Sequence, residues 1–463
     1  MTHRRRHGLA RPLALLLLFG PALAGALACR DAASPAPAPA PPPAPADLLL
    51  IVIDCLRGDA LSAAGYARRT TPVLDAFAAE GTRFTRAFAQ SSWTRPSLPT
   101  LLTGLYPSEH GLLDLGDENA ENAPALDESV ETVAERLTAA GYTSVMFGEQ
   151  HKLAPRFGLG QGFARWEHRT GPARNIETKM VEFGAANAGK RFLAYLHYLE
   201  LHCPYCPPQD LRGTFDDGTS QLDLCAVWRR LRDGMRTGEV VLTAADQRRM
   251  RARYDEELLG VDGELGKLFD ALRARGLWDE TLVVVTSDHG EEFGEHGGWF
   301  HGHTLHDELI HVPLIVKPPA SWGAPRGRTV EALVEQRDLA ATLLEAAAAG
   351  PPPRGTASLL PWLRGEEGPA RPFVVSESMD QVTVRTAGWK LVAERAGGGR
   401  PLLYDLGADP GETRDVAAEH PERVGELRRH LVAWRRALVP AKRSEVDVDE
   451  ETRKGLEGLG YLN

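Results

Sequence analysis

Five sets of polar residues stand where alternating strands and helices would gather chemistry. The apolar run LLLIVI ends in Asp54, and TLVVVTS ends in Asp288-His289-Gly290. FLAYL leads to His197, Glu200 and His202, and the segment before VPLIV carries His301, His303 and His306. Two carboxylates and an imidazole delivered from separate strand ends can converge on one divalent cation, whereas each alone reads as a turn or cap residue. Gly290 allows the close backbone approach that a bound anion or metal needs. The fifth set is SSWTRPSLPTLLTG, residues 91–104. Pro96 and Pro99 fit near a helix start, Leu98, Leu101 and Leu102 supply a buried side, and Gly104 can end the turn. Thr94 then lies at the positive end of a short helix, where an oxyanion is stabilised, although a plain N-cap threonine fits these residues too.

From residue 48 onward, short apolar runs alternate with helix-periodic segments, which predicts an α/β fold: a mostly parallel sheet flanked by helices. The runs are LLLIVI (48–53), YTSVMF (142–147), FLAYL (192–196), TLVVVT (281–286) and VPLIV (312–316), with the β-branched and aromatic content that burial on both faces demands. Such sheets bind ligands at the carboxyl ends of their strands, where the polar sets stand. One helix is expected from about Ser129, as N-cap, to Ala140, and another over 253–275, where Tyr254, Leu258, Val261, Leu265, Leu268, Phe269 and Leu272 recur before Gly276. After residue 370, PFVVSE, VTVRTAGWKLVA and PLLYDL predict a small antiparallel sheet, closed by a helix over about 420–438. The polar stretch 207–250 reads as an irregular insertion. The expected organisation is 1–28 for export, 29–46 as spacer, 47–350 catalytic, 371–440 a small terminal α+β unit, and 441–463 a tail.

At 463 residues, 43% apolar and 25% charged, the chain can bury a large core. Arg4, Arg5, Arg6 and Arg11 precede the run Leu13 to Phe19 and then small residues up to Ala28, the layout of an export signal. Ala26-Leu27-Ala28 before Cys29 reads either as an ordinary cleavage site or as an imperfect lipoprotein site with Cys29 acylated. The following APAPAPPPAPA, a semi-rigid spacer, favours the membrane-attached reading. The formal charge of −10 becomes more negative once those arginines are removed, which argues against a nucleic-acid partner. Cys203, Cys206 and Cys225 offer a disulfide in an oxidising compartment, with a zinc site as the sharper alternative, and Cys55 reads as a small apolar filler.

Residues 48–317 resemble the sulfatases of the alkaline-phosphatase superfamily, motif after motif and in order. IVIDCLRGDAL resembles the first metal-binding strand, TPVLDAFAAEGTRF the helix that follows, PSLPTLLTGLYPSEHG the nucleophile motif, GYTSVMFGEQH the second signature, LELHCPY the substrate-histidine loop and VVVTSDHGEEFGEHG the second metal strand. VRTAGWKLV and LYDLGADPGETRDVA resemble the family's small terminal domain. The resemblance implies metal ligands at Asp54, Asp288 and His289, with Thr94 as a further ligand and as nucleophile. It places His151 and His202 against the ester anion or its leaving group.

The departures are as specific. Family sulfatases carry Cys or Ser, oxidised to formylglycine, at the first place of C/S-x-P-S-R, and this chain reads Thr94-Arg95-Pro96-Ser97-Leu98. Threonine cannot give that aldehyde. Glu149 replaces the lysine of G-K-x-x-H, no lysine stands near His301 to His306, and Cys55 replaces the second acid of an Asp-Asp pair. A threonine nucleophile is what phosphodiesterases and phosphoglycerol transferases of this superfamily use, so the expected chemistry is attack by Thr94 on a phosphodiester or phosphonate. His301, His303 or His306 would hold a second ion or substrate. His289 favours zinc or manganese over calcium, which prefers oxygen donors. The substrate is expected to be an anionic ester on a glycan, a lipid head group or a small molecule. A sulfatase acting without formylglycine and an inactive anion- or glycan-binding protein are the alternatives.

Overall fold

A sheet buried on both faces needs apolar side chains at every position, and the first strand shows how this chain supplies them. In the computed structural model, which describes residues 44–113, 122–442, 444–447 and 454, that strand is Asp47–Ile53 (β1). Leu49, Ile51 and Ile53 enter one core, while Leu48, Leu50 and Val52 enter another, as the two-residue period of a strand dictates. The export segment 1–28, Cys29 and most of the 29–46 spacer and 441–463 tail lie outside the described residues.

The other strands of this sheet are Thr82–Phe88 (β2), Thr143–Gly148 (β3), Arg165–Glu167 (β4), Phe192–Tyr198 (β5), Thr281–Thr286 (β6), His311–Lys317 (β7) and Arg328–Glu335 (β8). Among the described residues the order is β8-β2-β7-β6-β1-β5-β3-β4. β1 pairs in parallel with β5 and β6. The VPLIV run, β7, is antiparallel to both β2 and β6. Burial on two faces gives the same apolar run whichever way a strand points, so its direction was not readable.

Pro72–Glu80 (α1), Ala173–Ala186 (α4) and Ala244–Ala274 (α6) cover one face, with Leu74, Phe77, Ile176, Met180, Leu258 and Leu265 in its core. Thr94–Thr103 (α2), Val133–Ala139 (α3) and Asp338–Ala346 (α8) cover the other, through Leu98, Leu101, Val133, Leu137, Leu339 and Leu343. α3 starts later than the sequence suggested. Thr132 is its N-cap, joined with Glu135 in a reciprocal capping box, and Ser129 instead turns onto Asp127 Oδ1 (2.9 Å). α6 starts earlier, at Ala244 behind the Thr243–Asp246 capping box. The stretch 207–250 is not wholly irregular: it contains the helix Leu224–Thr237 (α5), capped by Asp223. A disulfide joins Cys206 to Cys225, leaving Cys203 buried and unpaired with another cysteine. No helix of the described residues is long and apolar enough to cross a membrane.

Asp307–Ile310 (α7) is a single turn just before β7. Val374–Glu377 (β9), Gln381–Arg385 (β10), Trp389–Glu394 (β11) and Leu402–Asp405 (β12) form the small antiparallel sheet, and Pro421–Ala437 (α9) packs Leu427, Leu431 and Trp434 on it. This sheet is bound to the loop ahead of α2. The Ser376 hydroxyl donates to Ala89 O (2.6 Å), the Glu377 amide to Gln90 O (2.8 Å) and the Ser91 hydroxyl to Glu377 O (2.7 Å).

Candidate active site

Asp54 follows β1, and its amide donates to Tyr198 O at the end of β5 (2.9 Å). Its fully buried carboxylate accepts from Gln150 Nε2 at 2.8 Å and lies 3.2 Å from His197 Nε2. The Tyr195 hydroxyl, 2.8 Å from His197 Nδ1, can donate there and leave the Nε2 proton for Asp54. Burial alone would raise the Asp54 pKa, but the His197 hydrogen bond and the fields of His202 and His289 outweigh it and hold the carboxyl below its ordinary range. Asp288, at the end of β6, moves the other way because burial and the Asp54 charge both push it up.

Asp288 Oδ1 accepts the His289 amide at 3.0 Å, while Oδ2 is buried without a hydrogen-bond partner. His289 Nδ1 is 2.8 Å from Gly290 O and must donate to it, so Nε2 offers its lone pair. That nitrogen lies 3.4 Å from Asp288 Oδ2, 3.6 Å from Asp54 Oδ1 and 3.2 Å from Thr94 Oγ1. One ligand atom from each of Asp54, Asp288 and His289 falls within 4.8 Å of the others. Two buried carboxylates, one with an orphaned oxygen, are costly unless a cation joins them, so this donor set fits a divalent ion.

Thr94 is the first residue of α2, with Trp93 rather than Thr94 in the N-cap position. The hydroxyl therefore belongs to the helix's first turn, beside the His289 imidazole. Pro96 falls in the same turn, while Pro99 lies further inside the helix. The Gly302 amide donates to Ser92 O (2.9 Å) and holds the histidine loop against this turn.

The three loop histidines separate. His301 joins the centre: its ring lies 4.6 Å from that of His289 and 5.0 Å from that of His202, and Nδ1 is 3.1 Å from Glu291 Oε1. Burial would lower its pKa, but the Glu291 charge and hydrogen bond raise it. His303 bonds Glu292 (2.6 Å), and His306 stacks on His296. His202 Nδ1 lies 2.8 Å from Cys203 O, and burial lowers its pKa to about 4. His151 opens the short turn that follows Gln150, half-buried.

Cys55 is more than filler. It takes a left-handed backbone (φ 59°), and its buried Sγ sits 3.1 Å from Asp54 Oδ1 and 3.6 Å from His301 Nδ1. With His289 and His301 it makes another set of candidate ligands. Sequence reasoning gave no role to Gln150 or His197, both on Asp54. Gln150 follows β3 and obeys the strand-end rule already applied to Asp54. His197 was noted but lies inside β5, opposite Val52, because that strand runs on to Tyr198. Lys152 also went unread: buried, its Nζ is 5.9 Å from the centre of the Trp93 ring. Glu149 accepts the Gly171 amide (2.8 Å), and Glu200 accepts the amide of Ala173 at the start of α4 (2.6 Å).

A mostly parallel sheet with acids, imidazoles and a hydroxyl gathered at its strand ends is the architecture of the alkaline-phosphatase-like ester hydrolases. The family model described as Sulfatase matches residues 46–349, and the chain belongs to that family of enzymes. A second model, described as N-sulphoglucosamine sulphohydrolase, C-terminal, matches residues 294–436. An arylsulfatase of Clostridium perfringens is 21% identical, over 83% of this chain and 93% of the relative. The N-acetylglucosamine-6-O-sulfatase of Bacteroides thetaiotaomicron is 25% identical, over 87% and 88%. The solved phosphonate monoester hydrolase of Agrobacterium radiobacter has the same fold, with a TM-score of 0.70 at 24% identity over 84% of this chain and 95% of that one.

Proposed function

We propose that this enzyme cleaves an anionic ester by direct attack of Thr94, with phosphodiesters or phosphonates preferred. The observation that carries the reading is the Thr94 hydroxyl in the first turn of α2, 3.2 Å from the Nε2 of His289, which groups with Asp54 and Asp288. Asp54, Asp288, His289 and Thr94 would hold a divalent cation, which when bound lowers the pKa of a hydroxyl and neutralises charge on the tetrahedral centre. Of zinc, manganese and calcium, zinc fits best, because His289, His301 and Cys55 add nitrogen and sulfur donors to the carboxylates.

In the first half-reaction Thr94 Oγ loses its proton to solvent and bonds to phosphorus as the ester oxygen departs with the bonding pair and is protonated. In the second, water or an acceptor alcohol loses a proton and displaces Thr94 Oγ, which leaves phosphorus with the bonding pair and takes up a proton. His202, held through Nδ1 by Cys203 O, is assigned to exchange a proton with the incoming or departing oxygen. His151 is assigned to the ester anion, and Lys152 supplies a cation near Trp93 where the lysines expected at 149 and in the histidine loop are absent. The substrate would be a phosphorylated or sulfated glycan, lipid head group or small molecule.

The second reading is a sulfatase that acts without formylglycine, favoured by the family match and by the relatives named above. A panel of p-nitrophenyl sulfate, phosphate, phosphodiester and phosphonate, run with zinc, manganese and calcium beside Thr94→Ala, separates the two. Diester or phosphonate turnover that disappears in Thr94→Ala supports the first; sulfate turnover far above the rest overturns it. Export rests on residues 1–28 and agrees with the Cys206–Cys225 disulfide. Membrane attachment through an acylated Cys29 is tested by labelling wild type and Cys29→Ala with a clickable palmitate, and unlabelled wild type rules it out.

A further inference from the structure

Each carboxylate of the centre has one oxygen engaged by the protein and one turned toward His289. Asp54 Oδ2 accepts from Gln150 Nε2 (2.8 Å) and meets His197 Nε2 (3.2 Å), which takes up both of its lone pairs. Asp54 Oδ1 lies instead 3.1 Å from the Cys55 thiol and 3.6 Å from His289 Nε2. Asp288 repeats the arrangement. Its Oδ1 accepts the His289 amide (3.0 Å), and its Oδ2, buried without a hydrogen-bond partner, lies 3.4 Å from the same His289 nitrogen.

The choice between the two Asp54 oxygens is made by a side chain outside the ligand set. His197 is fully buried in β5, flanked by Val52 of β1 and Gly148 of β3. A Cβ at Gly148 would fall 2.8 Å from His197 Cβ and 2.9 Å from His197 O, so only glycine lets β3 pass this position. Tyr195, two residues earlier on the same face of β5, brings its hydroxyl 2.8 Å from His197 Nδ1. A neutral imidazole carries one N–H and one lone pair. With Nδ1 accepting the Tyr195 proton, the N–H falls on Nε2 and is aimed at Asp54. In the other tautomer the Nε2 lone pair would face a carboxylate oxygen across the same gap, and the two would repel.

We propose that His197, locked in its tautomer by Tyr195, is a positioning residue that makes Asp54 a metal ligand through Oδ1 alone and thereby favours zinc over calcium. The inference rests on the reading of Asp54, Asp288 and His289 as a divalent-cation centre. Turning Asp54 to grip an ion with both oxygens would break the bonds of Oδ2 to Gln150 and His197. One oxygen from each aspartate, with Thr94 Oγ1, falls well short of the shell of about six to eight oxygens that calcium takes, whereas zinc closes its shell with about four donors and accepts imidazole nitrogen. A carboxylate already held in place needs no reorganisation when the ion arrives. His197 does this without touching ion or ester.

The test is competitive titration of zinc and of calcium against chromophoric chelators, on the full chain stripped of metal. His197→Leu should weaken zinc binding by about 10- to 100-fold, the usual loss when support behind a ligand is removed. Calcium binding should hold or rise, because Oδ2 is partly released. His197→Gln, whose amide N–H can reach Oδ2, should return zinc affinity to within about threefold of wild type. A packing role alone would weaken both ions together and would not be rescued by Gln. Unchanged zinc affinity in His197→Leu, or parallel loss of both ions, overturns the proposal. If His197→Leu fails to fold by circular dichroism, Tyr195→Phe, which removes only the hydroxyl, should weaken zinc several-fold, and an unchanged value there overturns it equally. Asp288→Asn separates the two levels of inference. Zinc binding that survives Asp288→Asn, or is absent from wild type, overturns the metal centre and this role with it; binding lost in Asp288→Asn but intact in His197→Leu overturns this role alone.

Discussion

The centre beneath Thr94 and the joint around His296 draw on the same stretch of chain, residues 288–308, yet they balance charge differently. At the centre both carboxylates are fully buried. Asp54 is satisfied by Gln150 and His197, and the imbalance falls on Asp288, which has one orphaned oxygen. At the joint the acid Asp307 is neutralised by Arg385 and Lys390, and the imbalance falls on Glu308 between two elements. The orphaned oxygen of Asp288 faces the site of the Thr94 hydroxyl, while that of Glu308 lies between a loop and a helix, where burial pushes its carboxyl up to about 8.

Thr94→Ala breaks that contrast most strongly. It should lower kcat/KM on the preferred ester by at least about 1,000-fold while the melting temperature stays near that of wild type. A residual rate within tenfold of wild type would remove Thr94 as nucleophile. Asp307→Asn should do the reverse, costing about 3 kcal/mol in urea unfolding because it withdraws a partner from fully buried Lys390. KM should hardly move. Burial would raise the Asp307 pKa, but Lys390 and Arg385 keep it well below the ordinary carboxylate range. Its contribution is therefore complete above the pKa of an unfolded aspartate and lost as pH falls through the lower folded pKa, so wild type and variant should begin to converge only below about pH 4. Curves that diverge in acid would refute the ion-pair account.

Two substitutions sharpen the centre itself. Cys55→Asp exchanges a soft donor for a hard one and should move the zinc-over-calcium preference toward calcium by about tenfold, read by competitive loading. An unchanged preference would mean that Cys55 is not a ligand. Lys152→Met should raise KM for an anionic ester several-fold, about 1 kcal/mol, with little change in kcat. If KM is unaffected, Lys152 does not meet the ester anion.

Much of this arrangement was legible because burial leaves a strong mark on sequence. LLLIVI and TLVVVT could only be strands covered on both faces, and the acids at their ends then had to be adjacent. β2 (TRFTRAF) and β8 (RTVEALVE) were not read because their mixed exposure inserts charged residues into the pattern. The start of α6 was lost for the same reason, since Ala244 to Ala252 carries three arginines and few apolar residues. Within the site, Asp288-His289 announced itself by following a strand. Cys55 did not, because a buried thiol beside a metal centre and one in an apolar core look alike in sequence. The separation of His301 from His303 and His306 depends on how the loop folds back on Ser92, which spacing does not reveal.

The bonds from β9 to the loop ahead of α2 bear on how the enzyme comes into being. Ser91 and Glu377 are 286 positions apart, and Ala89 and Ser376 are 287 apart. During synthesis the backbone that carries Thr94 emerges early but cannot gain these partners until nearly the whole chain has been made. The Thr94 hydroxyl is thus among the last groups to be fixed in place, and a chain interrupted after His301 but before Ser376 would carry every candidate ligand of the centre without the brace behind Thr94.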